Sequence, residues 1–186
     1  RRCLCHGSNR RGGYQACRLA LEHPEAVRTL TIVNSGTMTI RSVPMSLYDA
    51  IGKQTPWIED PRERFRRKLA DYSFSAAHLT DEFIGKLLEI AALPKSQEAA
   101  AKMEAGLKLQ FREDLAARQT ETQEWIKAGR LKAPTLLVWG ANDPAAKLEP
   151  VGLDVMRLVF AAVPGARMSI LNQAGHFSFR EQPEAF

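Results

Sequence analysis

The sequence predicts an α/β fold in which a mostly parallel sheet packs against helices. Three short apolar runs indicate buried strands: residues 27–33 (VRTLTIV), 135–139 (TLLVW) and 168–171 (MSIL). Between them lie longer stretches whose apolar residues recur at spacings of three and four, which is typical of helices. Strands that alternate with helices favour a parallel sheet. The 186 residues suffice for one domain with a sizeable core.

Composition narrows the class of protein. The 26 Lys and Arg residues outnumber the 21 Asp and Glu residues and give a net charge of +5, but the two signs are interspersed along the chain. Since no basic stripe forms, we expect no nucleic-acid partner. No apolar run approaches the ~20 residues of a membrane span, and no secretory signal is visible. We therefore expect a cytoplasmic protein.

Cysteine usage agrees with that expectation. Cys3, Cys5 and Cys17 are odd in number and cluster near residue 1, which favours reduced thiols over a disulfide framework. Cys3 and Cys5 precede His6, a pattern that could suggest a metal site. No second ligand pair follows, so we expect no metal.

The first forty residues predict one helix and one strand. Residues 1–11 are basic, and we expect them to be irregular. Residues 12–22 place Tyr14, Cys17 and Leu21 at helical spacing, and His23-Pro24 ends that helix. The β-branched run 27–33 then predicts a strand.

Residues 41–117 predict helices and no strand. The helical patterns cover 61–72, 80–93 and 96–117, and Thr80 is a good N-cap because acids follow it in the first turn. A further helix is expected over 120–128, with Gly129 near its C-cap. An amphipathic helix is expected over 151–163.

Two candidate catalytic residues follow the last two predicted strands. Asp143 lies in the turn after 135–139, and His176 lies in the loop after 168–171. Because ligands bind outside the carboxyl ends of parallel strands, we expect the two side chains to be within hydrogen-bonding reach. Alternatives remain: Asn142 competes with Asp143, Asp143 could only form an Asx turn before Pro144, and His176 could be a surface residue.

These segments resemble a known family. The stretches WGAND and AGHFSFREQPEAF are similar to the acid turn and the histidine loop of α/β hydrolases, and most similar to the hydrolases that cleave a carbon–carbon bond of meta-ring-fission products. The resemblance covers roughly residues 12–33 and 132–186. It implies a partial hydrolase sheet of late parallel strands with a helical lid insertion, and an N-terminal part that we expect to be missing.

The resemblance also implies a division of the chain and an activity. Residues 1–40 would hold the remnant of the nucleophile turn with a helix and a strand, 41–117 the lid, and 118–186 the core that carries acid and histidine. The implied reaction is Ser-His-Asp hydrolysis of a small-molecule vinylogous 1,5-diketone without metal or organic cofactor. A carboxylesterase-type hydrolase and a non-catalytic hydrolase fragment are the alternatives, and a homo-oligomer is compatible with either.

The nucleophile turn departs from the family pattern. The family has G-x-S-x-G, whereas this chain reads HGSNRRGGY over residues 6–14. Counted back from Gly12, the serine position holds Arg10, which cannot act as a nucleophile because its guanidinium stays protonated. Ser8, two residues earlier, is therefore the candidate nucleophile, either displaced into the site or left in a turn that no longer works.

Two further residues are candidates for substrate binding by resemblance, Phe177 and Lys86. Phe177 directly follows the candidate histidine. The family often carries a lid arginine that binds the substrate carboxylate, but the corresponding stretch 83–90 offers Lys86 and no arginine. Lys86 could supply a point charge but not a two-pronged contact.

Overall fold

The computed structural model describes the backbone of residues 3–6, 11–39 and 57–186, and their side chains except those of 3–6, 107–109, 111 and 112. Four parallel strands form one sheet in the order β1-β2-β3-β4. Its strands are β1 (Cys3–His6), β2 (Val27–Val33), β3 (Thr135–Gly140) and β4 (Arg167–Leu171). The α-helices of the described chain are α1 (Arg11–Glu22), α2 (Pro61–Ala70), α3 (Asp81–Ala91), α4 (Pro94–Lys102), α5 (Lys108–Lys127), α6 (Leu153–Ala162) and α7 (Ser178–Glu181).

The α/β prediction is confirmed, and β2, β3 and β4 lie where the apolar runs predicted them. The expectation of an irregular stretch over 1–11 is wrong at β1. This strand pairs with β2 through backbone contacts that align Leu4 with Thr29 and His6 with Thr31. Four residues are too few for a side-chain period to show, so the pairing partner decides the conformation.

The core lies on the face of the sheet that α1, α5 and α6 cover. Alternation along the strands turns Leu30 and Ile32 of β2, and Leu137 and Trp139 of β3, toward this core. A smaller apolar group on the opposite face includes Val33 from β2. The largest fully buried side chains of the core are Leu21, Leu30, Ile32, Met38, Ile126, Leu137, Trp139, Val155 and Val159.

Between residues 57 and 127 the chain consists of helices and their connections and contains no strand, as predicted, while residues 41–56 of the predicted helical region lie outside the described residues. Thr80 is the N-cap of α3 and accepts a hydrogen bond from the amide of Phe83 at 3.2 Å. The helical path that starts with α4 breaks at Gly106, whose φ of 112° lies in the region that glycine favours. The domain boundary expected at residue 117 falls inside α5, a single helix, so the helical segment and the core share one element. The lid assignment stays a prediction.

No helix within the described residues is long and apolar enough to cross a membrane.

Candidate active site

Asp143 and His176 meet at the carboxyl edge of the sheet. The register aligns Gly140 at the end of β3 with Leu171 at the end of β4, so the loops that follow them start side by side. The carboxylate Oδ2 of Asp143 lies 2.8 Å from the imidazole Nδ1 of His176, and both residues are buried, 2% and 4% exposed. The predicted proximity of the two side chains is confirmed.

Backbone hydrogen bonds hold the acid loop against the histidine loop. The amide of Ala141 donates to the carbonyl of Leu171 at 2.9 Å, and the amide of Asn142 donates to the carbonyl of Ala174 at 2.9 Å. Asn142 itself is exposed, so it is Asp143 and not its neighbour that points at the histidine. The two loops therefore fix the relative position of acid and imidazole before any side chain is considered.

The carboxylate of Asp143 accepts four hydrogen bonds from residues that the structure describes. Its Oδ1 accepts from the amides of Ala145 at 2.7 Å and Ala146 at 2.8 Å. Its Oδ2 is shared by His176 and by the side-chain amide of Asn34, which donates at 2.7 Å. The turn-forming and histidine-orienting interpretations of Asp143 thus both hold, one on each oxygen.

The hydrogen bond with Asp143 also selects the tautomer of His176. An ionised carboxylate only accepts hydrogen bonds, so we assign the proton of this bond to Nδ1. In a neutral imidazole the lone pair then lies on Nε2. That nitrogen is the one that can take a proton from a hydroxyl group or from water.

Asn34 is a site residue that the sequence analysis missed. It is fully buried directly after β2, with φ of 44°, a left-handed conformation that asparagine tolerates better than most residues. Its amide group joins the carboxylate of Asp143 to the hydroxyl of Ser178, which donates to Asn34 Oδ1 at 2.8 Å. The rule that located Asp143, a polar residue just after a strand at the carboxyl edge, would also have found Asn34.

A segment from the helical region covers the histidine loop. The amide of His176 donates to the carbonyl of Tyr72 at 2.8 Å. A β-carbon added at Gly175 would lie 2.5 Å from the amide nitrogen of Phe74, so only glycine permits this approach. The chain between α2 and α3 therefore forms one wall of the site.

Aromatic rings surround the imidazole of His176. The ring centroid of Tyr72 lies 5.9 Å from that of the imidazole, and the ring centroid of Phe177 lies 5.8 Å from it in an edge-on arrangement. The ring of Phe177 also packs against that of His78, with the ring centroids 5.4 Å apart. Burial lowers the pKa of His78, with Glu181 opposing this shift and Arg180 adding to it. The site is apolar on this side, which suits a small organic substrate.

Comparison with known proteins decides the family. The sequence model of the α/β hydrolase fold family matches residues 11–183.

The chain belongs to the α/β hydrolase fold family.

Within this family, the chain is similar to curated hydrolases from two bacterial species. It is 27% identical over 180 residues to the 2-hydroxy-6-oxononadienedioate/2-hydroxy-6-oxononatrienedioate hydrolase of Cupriavidus pinatubonensis, covering 96% of this chain and 57% of that protein. It is 30% identical over 180 residues to the protein of the same name from Paraburkholderia xenovorans, with the same coverage of 96% and 57%. The chain thus spans a little over half the length of these curated relatives.

Solved structures agree with the fold. The meta-cleavage product hydrolase from Pseudomonas fluorescens IP01 superposes with a TM-score of 0.66 at 22% identity, covering 98% of this chain and 61% of that one. At this identity the superposition supports the fold alone. It agrees with a partial α/β-hydrolase sheet, as the resemblance implied.

In the present chain the remaining predicted site residues have different outcomes. Phe177 lies against the candidate histidine. Lys86 lies on the exposed side of α3 in an ion pair with Glu89 at 2.8 Å, and no described contact joins it to His176. Ser8 lies outside the described residues. The roles of these three residues stay predictions.

The described residues contain no group of three or more His, Cys, Asp or Glu side chains that could hold a metal ion. One cleft of about 680 Å³ lies along α5 and α6, where Gln123, Lys127 and Arg157 line it, and its lining includes neither Asp143 nor His176. Cavity volume and chemical geometry therefore point to different places. We locate the site by the geometry, because a buried acid–imidazole pair has a chemical use that an open cleft alone does not.

Proposed function

We propose that Asp143 and His176 are the acid and the base of a serine-type hydrolase. The observation that carries this proposal is the 2.8 Å hydrogen bond between the two buried side chains, with Asn34 donating a second hydrogen bond to the same carboxylate oxygen. In this role His176 Nε2 takes the proton from the attacking hydroxyl. Asp143 keeps the imidazole in the required tautomer and stabilises the imidazolium that forms.

The proposed substrate is a small dienoate ring-fission product, a vinylogous 1,5-diketone that is ketonised and then cleaved at a carbon–carbon bond. The names of the relatives support this class, and so do the apolar rings of Tyr72 and Phe177 beside the imidazole. Ser8 is the proposed nucleophile, and Phe177 and Lys86 are the proposed substrate contacts. We also propose a cytoplasmic location; a homo-oligomer is compatible with this function.

The test is a turnover assay with a dienoate ring-fission product and with p-nitrophenyl acetate as the ester alternative. We expect low turnover, because Arg10 occupies the family's serine position and misplacing a nucleophile by about 1 Å can cost ~10²-fold. Asp143→Asn and His176→Ala should each reduce what remains by roughly 10²–10⁴-fold, since the imidazole loses its tautomer or is absent. The matched control is Asn142→Ala, which alters the exposed neighbour of the acid.

The double variant Ser8→Gly/Arg10→Ser restores the G-x-S-x-G order and should raise turnover. A phosphonate probe that labels activated serines, read by intact mass, covers the case in which turnover is too weak to measure. Labelling or turnover that does not change in Asp143→Asn and His176→Ala would contradict the proposed roles. Hydrolysis of the ester but not of the dienoate would move the substrate to the carboxylesterase class.

A further inference from the structure

Glu181 connects two parts of the molecule that are distant in sequence. Its side chain is half-buried at the end of α7, and its carboxylate accepts hydrogen bonds from four backbone amides. Oε2 accepts from Phe74 at 2.8 Å and from Ser75 at 3.2 Å. Oε1 accepts from Gly175 at 3.1 Å and, at a longer 3.4 Å, from Phe177.

The two pairs of amides belong to different segments. Phe74 and Ser75 lie in the connection between α2 and α3, and Gly175 and Phe177 flank His176 in the histidine loop. A carboxylate suits this position because its two oxygens offer about four acceptor sites and it carries no donor that would oppose an amide. Hydrogen bonds from amides to an ionised group are also roughly twice as strong as neutral ones.

A second contact links the same two segments. The amide of His176 donates to the carbonyl of Tyr72, and the ring of Tyr72 lies 5.9 Å from the imidazole. Displacing the segment 72–75 would therefore remove a backbone partner and a ring neighbour of the histidine together. The orientation of the imidazole toward Asp143 depends on this segment as well as on the sheet.

We propose that Glu181 is a positioning residue for His176. It holds the segment 72–75 against the histidine loop, so that the wall of the site and the imidazole move as one body. The inference rests on the proposed function, since it gives Glu181 a role in keeping the Asp143–His176 pair aligned. Its test does not depend on turnover.

The first measurement is native-state amide hydrogen exchange on the unmodified chain. Segments that open together show a common opening free energy. We expect the amides of Phe74, Ser75 and Gly175 to be protected and to exchange through one shared opening. Exchange at Phe74 and Ser75 that is orders of magnitude faster than at Gly175 would show that the segments open separately, and would overturn the proposal.

The second measurement compares Glu181→Gln with Glu184→Gln, which removes the same charge at an exposed position in the same segment. A glutamine has one acceptor oxygen and turns its NH₂ group toward the other pair of amides. One pair should therefore exchange at least about ten-fold faster in Glu181→Gln. The low-field Nδ1–H proton resonance of His176 should broaden or shift as well. Glu184→Gln should change neither.

If Glu181 only joined the two segments, Glu181→Gln would raise amide exchange but leave the Nδ1–H resonance of His176 unchanged. That result would overturn the positioning role. If Glu181→Gln does not fold, the exchange pattern of the unmodified chain decides whether the proposal holds. If instead the proposed hydrolase function is wrong, Asp143→Asn will leave turnover unchanged, while the exchange and resonance results for Glu181→Gln will be as expected.

Discussion

The carboxyl edge of the sheet and the helical segment 57–107 are stabilised by different kinds of contact. At the edge, Asp143 is hydrogen-bonded to His176 and Asn34, which lie 33 and 109 positions away in the sequence, and all three side chains are buried. In the helical segment, α2 and α4 bury no residue and α3 buries only Ile84. Its polar contacts are largely local, such as the caps at Asp60 and Thr80. The edge depends on the tertiary fold, whereas the helices depend chiefly on their own sequence.

The largest expected difference between the two regions concerns apolar side chains. Leu137→Ala in β3 removes a fully buried group and should lower the free energy of unfolding by about 2–5 kcal/mol. Ile90→Ala in α3 removes a side chain that is 55% exposed and should change it by less than about 0.5 kcal/mol. Urea unfolding of both variants measures the contrast. Equal losses would show that the helical segment packs as tightly as the core.

The next effect tests the buried network at Asn34. Glycine is the informative substitution, because the φ of 44° at this position would strain alanine. Asn34→Gly removes a partner of Asp143 and the acceptor of Ser178, and we expect a loss of roughly 1–3 kcal/mol in urea unfolding. The exposed Asn142→Ala is the control and should stay near the native value. A glycine variant as stable as the native chain would mean that the network contributes no stability.

A smaller effect tests the local stabilisation of the helical segment. Thr80→Ala removes the side-chain oxygen that accepts from the amide of Phe83, and the helix should lose about 1 kcal/mol. Thr80→Ser keeps a capping oxygen and should behave like the native chain. Hydrogen exchange in the first turn of α3 measures the effect. Identical exchange in the alanine and serine variants would show that the Thr80 cap does not stabilise α3.

The smallest effect is the pH dependence due to His78. Burial lowers the pKa of this imidazole in the folded state, with an opposing contribution from Glu181 and a further lowering by Arg180. The unfolded chain therefore binds the proton more readily, so stability is retained above the unfolded pKa of about 6.5 and decreases as pH falls below it. His78→Gln should flatten this part of the stability–pH curve. A stability–pH curve that His78→Gln leaves unchanged would contradict the assignment.

Elements whose signals are local could be predicted from the sequence. Apolar runs predicted β2, β3 and β4, and the capping pattern at Thr80 predicted the start of α3, because propensity and burial period are written into consecutive residues. The acid and the histidine were also predictable. Each directly follows a strand, and parallel strands bring their carboxyl ends to one edge.

The other residues at that edge are brought together by the tertiary fold. Ser178 and Glu181 carry no local signal, and they bond to Asn34 and Phe74, which lie 144 and 107 residues away. The position of Asn34 directly after β2 was a signal, but no neighbouring residue identified Asp143, 109 residues away, as its partner. The strand β1 is similar: four residues show no period, and the backbone of β2 supplies what makes them a strand. Hydrogen bonds between distant segments depend on where the fold places each donor and acceptor, and no pattern of neighbouring residues encodes that placement.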